Sequence, residues 1–235
     1  MIRFRGIYPV YDDSAFLTAC VYQAAPQIQI ETVKIPQRPG VLMASKDHGA
    51  RYIRATFELL GHSAQRNADI AWRIVRWATS AGDERLILDE YPDRYFLAQL
   101  SEVGETDFAQ THPELQLTFH CANPYGFSIN ERTSYVGGAI LYDGDVEVWP
   151  RIVYKPSAAI TSPSWSDGKH TITLEGYTVQ AGHEIVIDNA NRNITDNGVS
   201  VMEYLPLSCD WIHLARGENA INGAGGSVVW RDIFL

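Results

Sequence analysis

The chain has 235 residues, 46% of them hydrophobic and 20% charged, which is the make-up of a folded globular protein with length enough for two domains. Net charge is −9, with 13 basic and 16 acidic side chains in residues 1–134 and 6 and 12 in residues 135–235, and no basic stripe is present. High-affinity nucleic-acid binding is therefore excluded, since nothing would neutralise a run of phosphates.

Met1 to Arg5 is not followed by an apolar stretch with a small-residue cleavage site, so a secretory signal is not expected and folding in a cytoplasm is. The longest apolar stretch, Ala15 to Ala25, is too short to span a bilayer. Cys20, Cys121 and Cys209 are far apart and odd in number, a poor basis for a disulfide framework or a metal knuckle, and are read as buried thiols.

Residues 28–35 alternate apolar and polar and then shift by one at Val33, the pattern of a half-buried strand with a bulge. Pro36 ends it. The stretch from Pro36 to Gly49 is rich in turn formers and reads as a long exposed loop or hairpin arm. Arg51 to Leu60 places Ile53, Ala55, Phe57 and Leu59 on one face, which predicts a strand. From Ala64 to Ala81 the period becomes helical, with Ser63 as N-cap and Gly82 as stop, and Ile70, Ala71, Ile74, Val75, Ala78 and Ala81 share one side. Trp72 and Trp77 fall at opposite rims of that stripe and are expected half-buried. Arg66, Arg73 and Arg76 on the other side read as a solvated face.

Leu88 to Tyr95, with Tyr91-Pro92-Asp93 at its centre, reads as a hairpin connection between strand-like runs, and Glu114 to Phe119 alternates cleanly. These elements predict an α+β domain over residues 1–132, an antiparallel sheet carrying one helix. A linker is expected near residues 129–142, around Gly137 and Gly138. Residues 133–235 then show short strand-like runs between turn clusters, at 147–154, 170–174, 184–187, 193–195, 199–203, 211–215 and 227–234. That spacing predicts a β-sandwich, and the fold class is mainly β.

Chemistry is hard to find. The chain lacks a Gly-x-Ser-x-Gly elbow, a Walker loop, a Gly-x-Gly-x-x-Gly turn and a His-Glu-x-x-His pair. Asp89 and Glu90 are neighbours in a turn and cannot face each other across a scissile bond, and His112 and His120 make a poor metal site. No catalytic, metal or cofactor residues are expected. Among Trp149, Trp165, Trp211 and Trp230, only Trp165, in the Ser162–Gly168 segment, is placed to be exposed as a glycan contact.

Several phrases, taken in order, resemble the distal tail proteins of siphophages. They are the strand 51–60 after a Pro-Gly loop, the helix with Trp77, Asp89-Glu90-Tyr91-Pro92-Asp93-Arg94-Tyr95, and Phe119 to Asn123-Pro124-Tyr125. The second half adds Trp149-Pro150-Arg151-Ile152, Leu214 to Ile221 and the closing Phe234-Leu235. The resemblance implies an N-terminal domain that closes into a homohexameric ring and a C-terminal galectin-like β-sandwich. It further implies a virion structural protein of the tail tip, assembled in the host cytoplasm, whose ring joins the tail tube to tip or baseplate hub proteins. DNA would pass through without specific binding, and no enzyme activity, cofactor or membrane contact is implied.

Arg38, Pro39, Gly40, Lys46 and His48 of the arm are the expected subunit contacts, because a long unpacked loop in a compact domain usually has a partner. The alternative is a carbohydrate-binding sandwich for host attachment, resting on Trp165. The galectin sugar-binding pattern is missing from the second half, and His120 to Pro124 resembles it only superficially, so sugar binding is not implied.

Overall fold

The computed structural model describes residues 2–9 and 14–235 and divides into two compact units, one of residues 1–126 with Leu235 and one of 127–234. In the first, β1 (Ile2–Phe4), β2 (Ala15–Tyr22), β5 (Arg51–Leu59), β6 (Glu84–Leu88), β7 (Arg94–Val103) and β8 (Glu114–Cys121) form an antiparallel sheet in the order β1-β6-β7-β8-β5-β2. A separate hairpin pairs β3 (Ile28–Val33) with β4 (Leu42–His48).

Strand β5 is central because its odd positions are apolar: Ile53, Ala55, Phe57 and Leu59 are all buried, with Leu117 and Phe119 of β8 beside them. Helix α1 (Ala64–Ala78) packs Ile70, Ala71, Ile74, Trp77 and Ala78 into the same core. Ser63 caps it as expected, its side chain accepting from the Arg66 amide. The stop comes earlier than the periodicity predicts. Thr79 turns extended, and both its amide and its hydroxyl donate to the Val75 carbonyl, so Gly82 plays no part in ending the helix.

The two helix tryptophans part company. Trp77 is 8% exposed and packs edge-on against Phe4, Phe57 and Phe119, its indole N–H donating to the Ile7 carbonyl. Trp72 is 76% exposed, so half-burial at two rims is corrected for both. What separates them is the aromatic core that Trp77 enters and Trp72 faces away from.

Residues 89–93 form the expected hairpin turn, closed by Tyr91 N–H to Leu88 O and Arg94 N–H to Tyr91 O. Asp89 and Glu90 stand exposed on it, as turn residues do.

The expected linker is instead strand. After β9 (Gly126–Ser128), β10 (Arg132–Tyr135) and β11 (Ala139–Tyr142) already belong to the second unit, and the turn glycines Gly137 and Gly138 only join them. β10 leads a six-stranded antiparallel sheet in the order β10-β22-β12-β17-β18-β19, made with β22 (Ser227–Trp230), β12 (Arg151–Tyr154), β17 (Ile185–Asp188), β18 (Asn193–Asp196) and β19 (Val199–Ser200).

Smaller sheets pair β11 with β20 (Gly217–Ala220), β13 (Ile160–Thr161) with β16 (Thr178–Val179), and β14 (Ser164–Ser166) with β15 (Thr171–Thr173) and β21 (Asn222–Gly223). Ile152, Ile185, Ile187, Ile194 and Val228 of the large sheet share one core cluster with Ile140, Trp165, Ile172 and Val179 of the small ones. Several expected strands shrink: 147–154 begins at Arg151, 199–203 keeps only Val199–Ser200 before a 3-10 turn, 211–215 contributes only a Val148–Leu214 bridge, and 227–234 breaks after Trp230.

Candidate assembly surface

The arm is built from its own alternation. In β3 every residue is exposed, and in β4 all but Ser45 are. Register pairs Ile28 with His48 and Ile30 with Lys46, then shifts between Glu31 and Thr32 so that Thr32 meets Met43 and Val33 meets Leu42. Paired residues of an antiparallel ladder point the same way, so the bulge returns Met43 to the face of Ile28 and Ile30. These three are 63%, 52% and 55% exposed respectively, an apolar stripe that none of the described residues covers. The extra residue is Ala44 of β4 and not Val33, and β3 is exposed throughout where half-burial was expected.

Arg38, Pro39 and Gly40 lie at the tip, where Gln37 (φ 64) and Gly40 (φ 85) take left-handed conformations and the Arg38 amide reaches Ile35 O. Lys46 shares the apolar face, its stem beside Ile30. His48 stands at the base, its ring hydrogen-bonded to the Tyr125 hydroxyl at 2.9 Å. That contact ties the arm to its unit, while Gly49 N–H to Gln27 O closes the base of the hairpin. Arm residues are thus brought together on one hairpin, tip and stripe alike.

Two further surfaces of the same unit were not singled out by sequence. β2 is a sheet edge carrying exposed Phe16 and Val21. Beside α1, a groove of about 430 Å³ is lined by Ala71, Trp72, Val75, Val103, Phe108 and Leu115. The exposed Trp72 could have flagged the groove, but its helical position alone suggested a rim.

Trp165 is not exposed. It lies in β14 at 0% exposure, its indole N–H donating to Gly225 O and its ring edge-on to Tyr154. Gly223 (φ 148) pairs with it, and a Cβ there would collide with the Ser164 carbonyl, so the close backbone approach that seals Trp165 in requires glycine. A glycan contact through this residue is thereby removed. Of the cysteines, Cys121 is buried while Cys20 and Cys209 are only partly so. Cys20 is nonetheless pushed up to about 11, mainly by burial.

Asp167, His170 and His213, which no sequence spacing connects, come together in the second unit. The Asp167 carboxyl is held below the ordinary aspartate range by hydrogen bonds from His170 and Lys169, which outweigh the opposing effect of its burial. Among the described residues no helix is long and apolar enough to cross a membrane.

Residues 13–121 match the family model described as phage tail protein RIFT-related domain, and residues 143–232 match that of the siphovirus-type tail component, C-terminal domain. No curated protein sequence matches. The Dit protein of phage SPP1 is similar in structure, with a TM-score of 0.87 over 100% of this chain and 98% of that one at 16% identity. The activated phage P2 baseplate with calcium gives a TM-score of 0.47 at 10% identity, covering 94% of this chain and 91% of that one. Siphophage tail models thus account for both units in chain order, and the chain belongs to the Dit family of siphovirus-type tail components.

Proposed function

We propose that this chain is a distal tail protein that closes into a homohexameric ring at the tail tip of a virion, joining the tail tube to tip or baseplate hub proteins. Its role is structural, without catalysis, and DNA passes through the ring unbound, in keeping with a net charge of −9. The first unit forms the ring.

The arm carries this reading. A two-stranded hairpin is marginally stable alone in water, and Ile28, Ile30 and Met43 leave an apolar stripe uncovered, so a neighbouring subunit is the natural cover. Arg38, Pro39, Gly40 and Lys46 reach across with it, whereas His48 anchors the base. Head-to-tail contacts of this kind make a ring when their rotation closes.

Light scattering on the purified chain tests it. The expected mass is six 26.3 kDa subunits, or a concentration-dependent rise towards that value. Ile30→Asp with Met43→Asp should return the protein to monomer while leaving its circular dichroism unchanged. A chain that stays monomeric at high concentration, alone and on added tail tubes, would sink the proposal.

A further inference from the structure

We propose that the second unit binds one divalent transition-metal ion, zinc being the best fit, through Asp167, His170 and His213. The three residues come from two places in the chain. Asp167 and His170 sit in the turn between β14 and β15, and His213 lies in the irregular segment before β20. One ligand atom from each lies within 4.8 Å of the others. A tetrahedral zinc with bonds of about 2.1 Å needs its ligands about 3.4 Å apart, so closure takes roughly an ångström of side-chain rotation.

Part of the site is already set. Asp167 Oδ1 accepts from the backbone amides of Lys169 and His170 at 2.8 and 2.7 Å, which fixes the carboxylate. Its Oδ2 lies 2.8 Å from His170 Nδ1. Both atoms are acceptors unless a proton lies between them, so a cation that binds the pair takes His170 as its Nε2–H tautomer, the Nδ1 proton being lost to solvent and one regained at Nε2.

His213 completes the set. Its ring lies 4.8 Å from that of His170, centroid to centroid, and it makes no hydrogen bond among the described residues, its Nε2 being 3.9 Å from Glu147 Oε2. The ring also lies 6.2 Å from that of Trp149, and metal binding turns one of its nitrogens towards Asp167 and His170. A concavity of about 270 Å³, lined also by Lys169, Glu218 and Asn219, leaves room for a water or the Glu218 carboxylate as fourth ligand.

Charge and donor type select the ion. Asp167, Glu218 and Glu147 outnumber Lys169 around the site, which favours a dication. Two imidazoles with one carboxylate suit zinc or its neighbours rather than calcium or magnesium, which prefer all-oxygen shells. Bound there, the ion would staple the β14–β15 turn to the His213 segment and stabilise the fold in proportion to its occupancy.

The test uses the full chain without a polyhistidine tag, stripped with chelator and titrated calorimetrically with Zn²⁺ near neutral pH. One ion per chain at micromolar free zinc is expected, with visible absorption bands of a four-coordinate N/O site when Co²⁺ replaces it. His213→Ala should weaken binding by about 10-fold or more and abolish those bands. This variant decides the matter, since the His213 side chain carries no hydrogen bond whose loss would unfold the protein. Absence of binding at about 100 µM zinc, or the same affinity in His213→Ala, would overturn the proposal.

Discussion

Buried side chains at the join of β5 and β8 give the first unit a pH dependence. Arg51 and Cys121 are partners in the register, and both are buried. Burial lowers the Arg51 pKa from its ordinary value, its Nε and Nη2 have no hydrogen-bond partner among the described residues, and the guanidinium lies over the Phe96 ring at 5.0 Å. Burial pushes the Cys121 thiol up to about 12, and the nearby guanidinium pulls it down without winning. The unfolded thiol thus ionises first, and between pH 9 and 12 the folded chain holds the extra proton.

Stability from this group is full below about pH 9 and is lost as pH rises to about 12, with an upper bound of about 4 kcal/mol. Urea midpoints should fall between about pH 8 and pH 10.5, and the Cys121→Ala chain should show a shallower fall. Cys20, raised to about 11 mainly by burial, and Tyr142 and Tyr177, raised to about 12, add to the slope that remains, Tyr142 through burial and Tyr177 chiefly through its hydrogen bond to Asp196. Equal slopes in the two chains would show that Cys121 does not titrate in this way. A reader of sequence sees a lone cysteine here, because its environment is set by a strand some seventy positions away.

Among elements, α1 was legible at its start and not at its end. Its start follows from Ser63, whose side chain satisfies the otherwise unpaired Arg66 amide. Ser63→Ala should cost about 1 kcal/mol, read as a lowered urea midpoint with the assembly state unchanged. Its end escaped the periodicity because Ala81 continues the apolar pattern while Thr79, through its backbone, has already left the helix. β5 and the 89–93 turn were legible for the same local reasons, alternation in one and Pro92 with Asp93 in the other. β14 was not. Its three residues lie among serines, a proline and a glycine that read as loop, and only pairing with β15 and β21 makes them a strand.

For the molecule as a whole, membership of a tail-component family and an uncovered arm stripe point to stability that depends on company. If subunits cover one another's arms, the melting temperature should rise with protein concentration, and the Ile30→Asp, Met43→Asp chain should melt at one temperature throughout. A concentration-independent melt in the unaltered protein would show that assembly adds nothing to folding.

Composition and periodicity determined the mainly β class, the two-part organisation, the helix beside the sheet and the order of phrases that marks the family, because each depends on residues within a few positions of one another. Tertiary structure alone decided which tryptophans are core and which are surface, that Trp165 is sealed behind Gly223, and that His213 meets the Asp167–His170 turn. Those outcomes are set by side chains and backbone brought together from distant parts of the chain, which local spacing does not record.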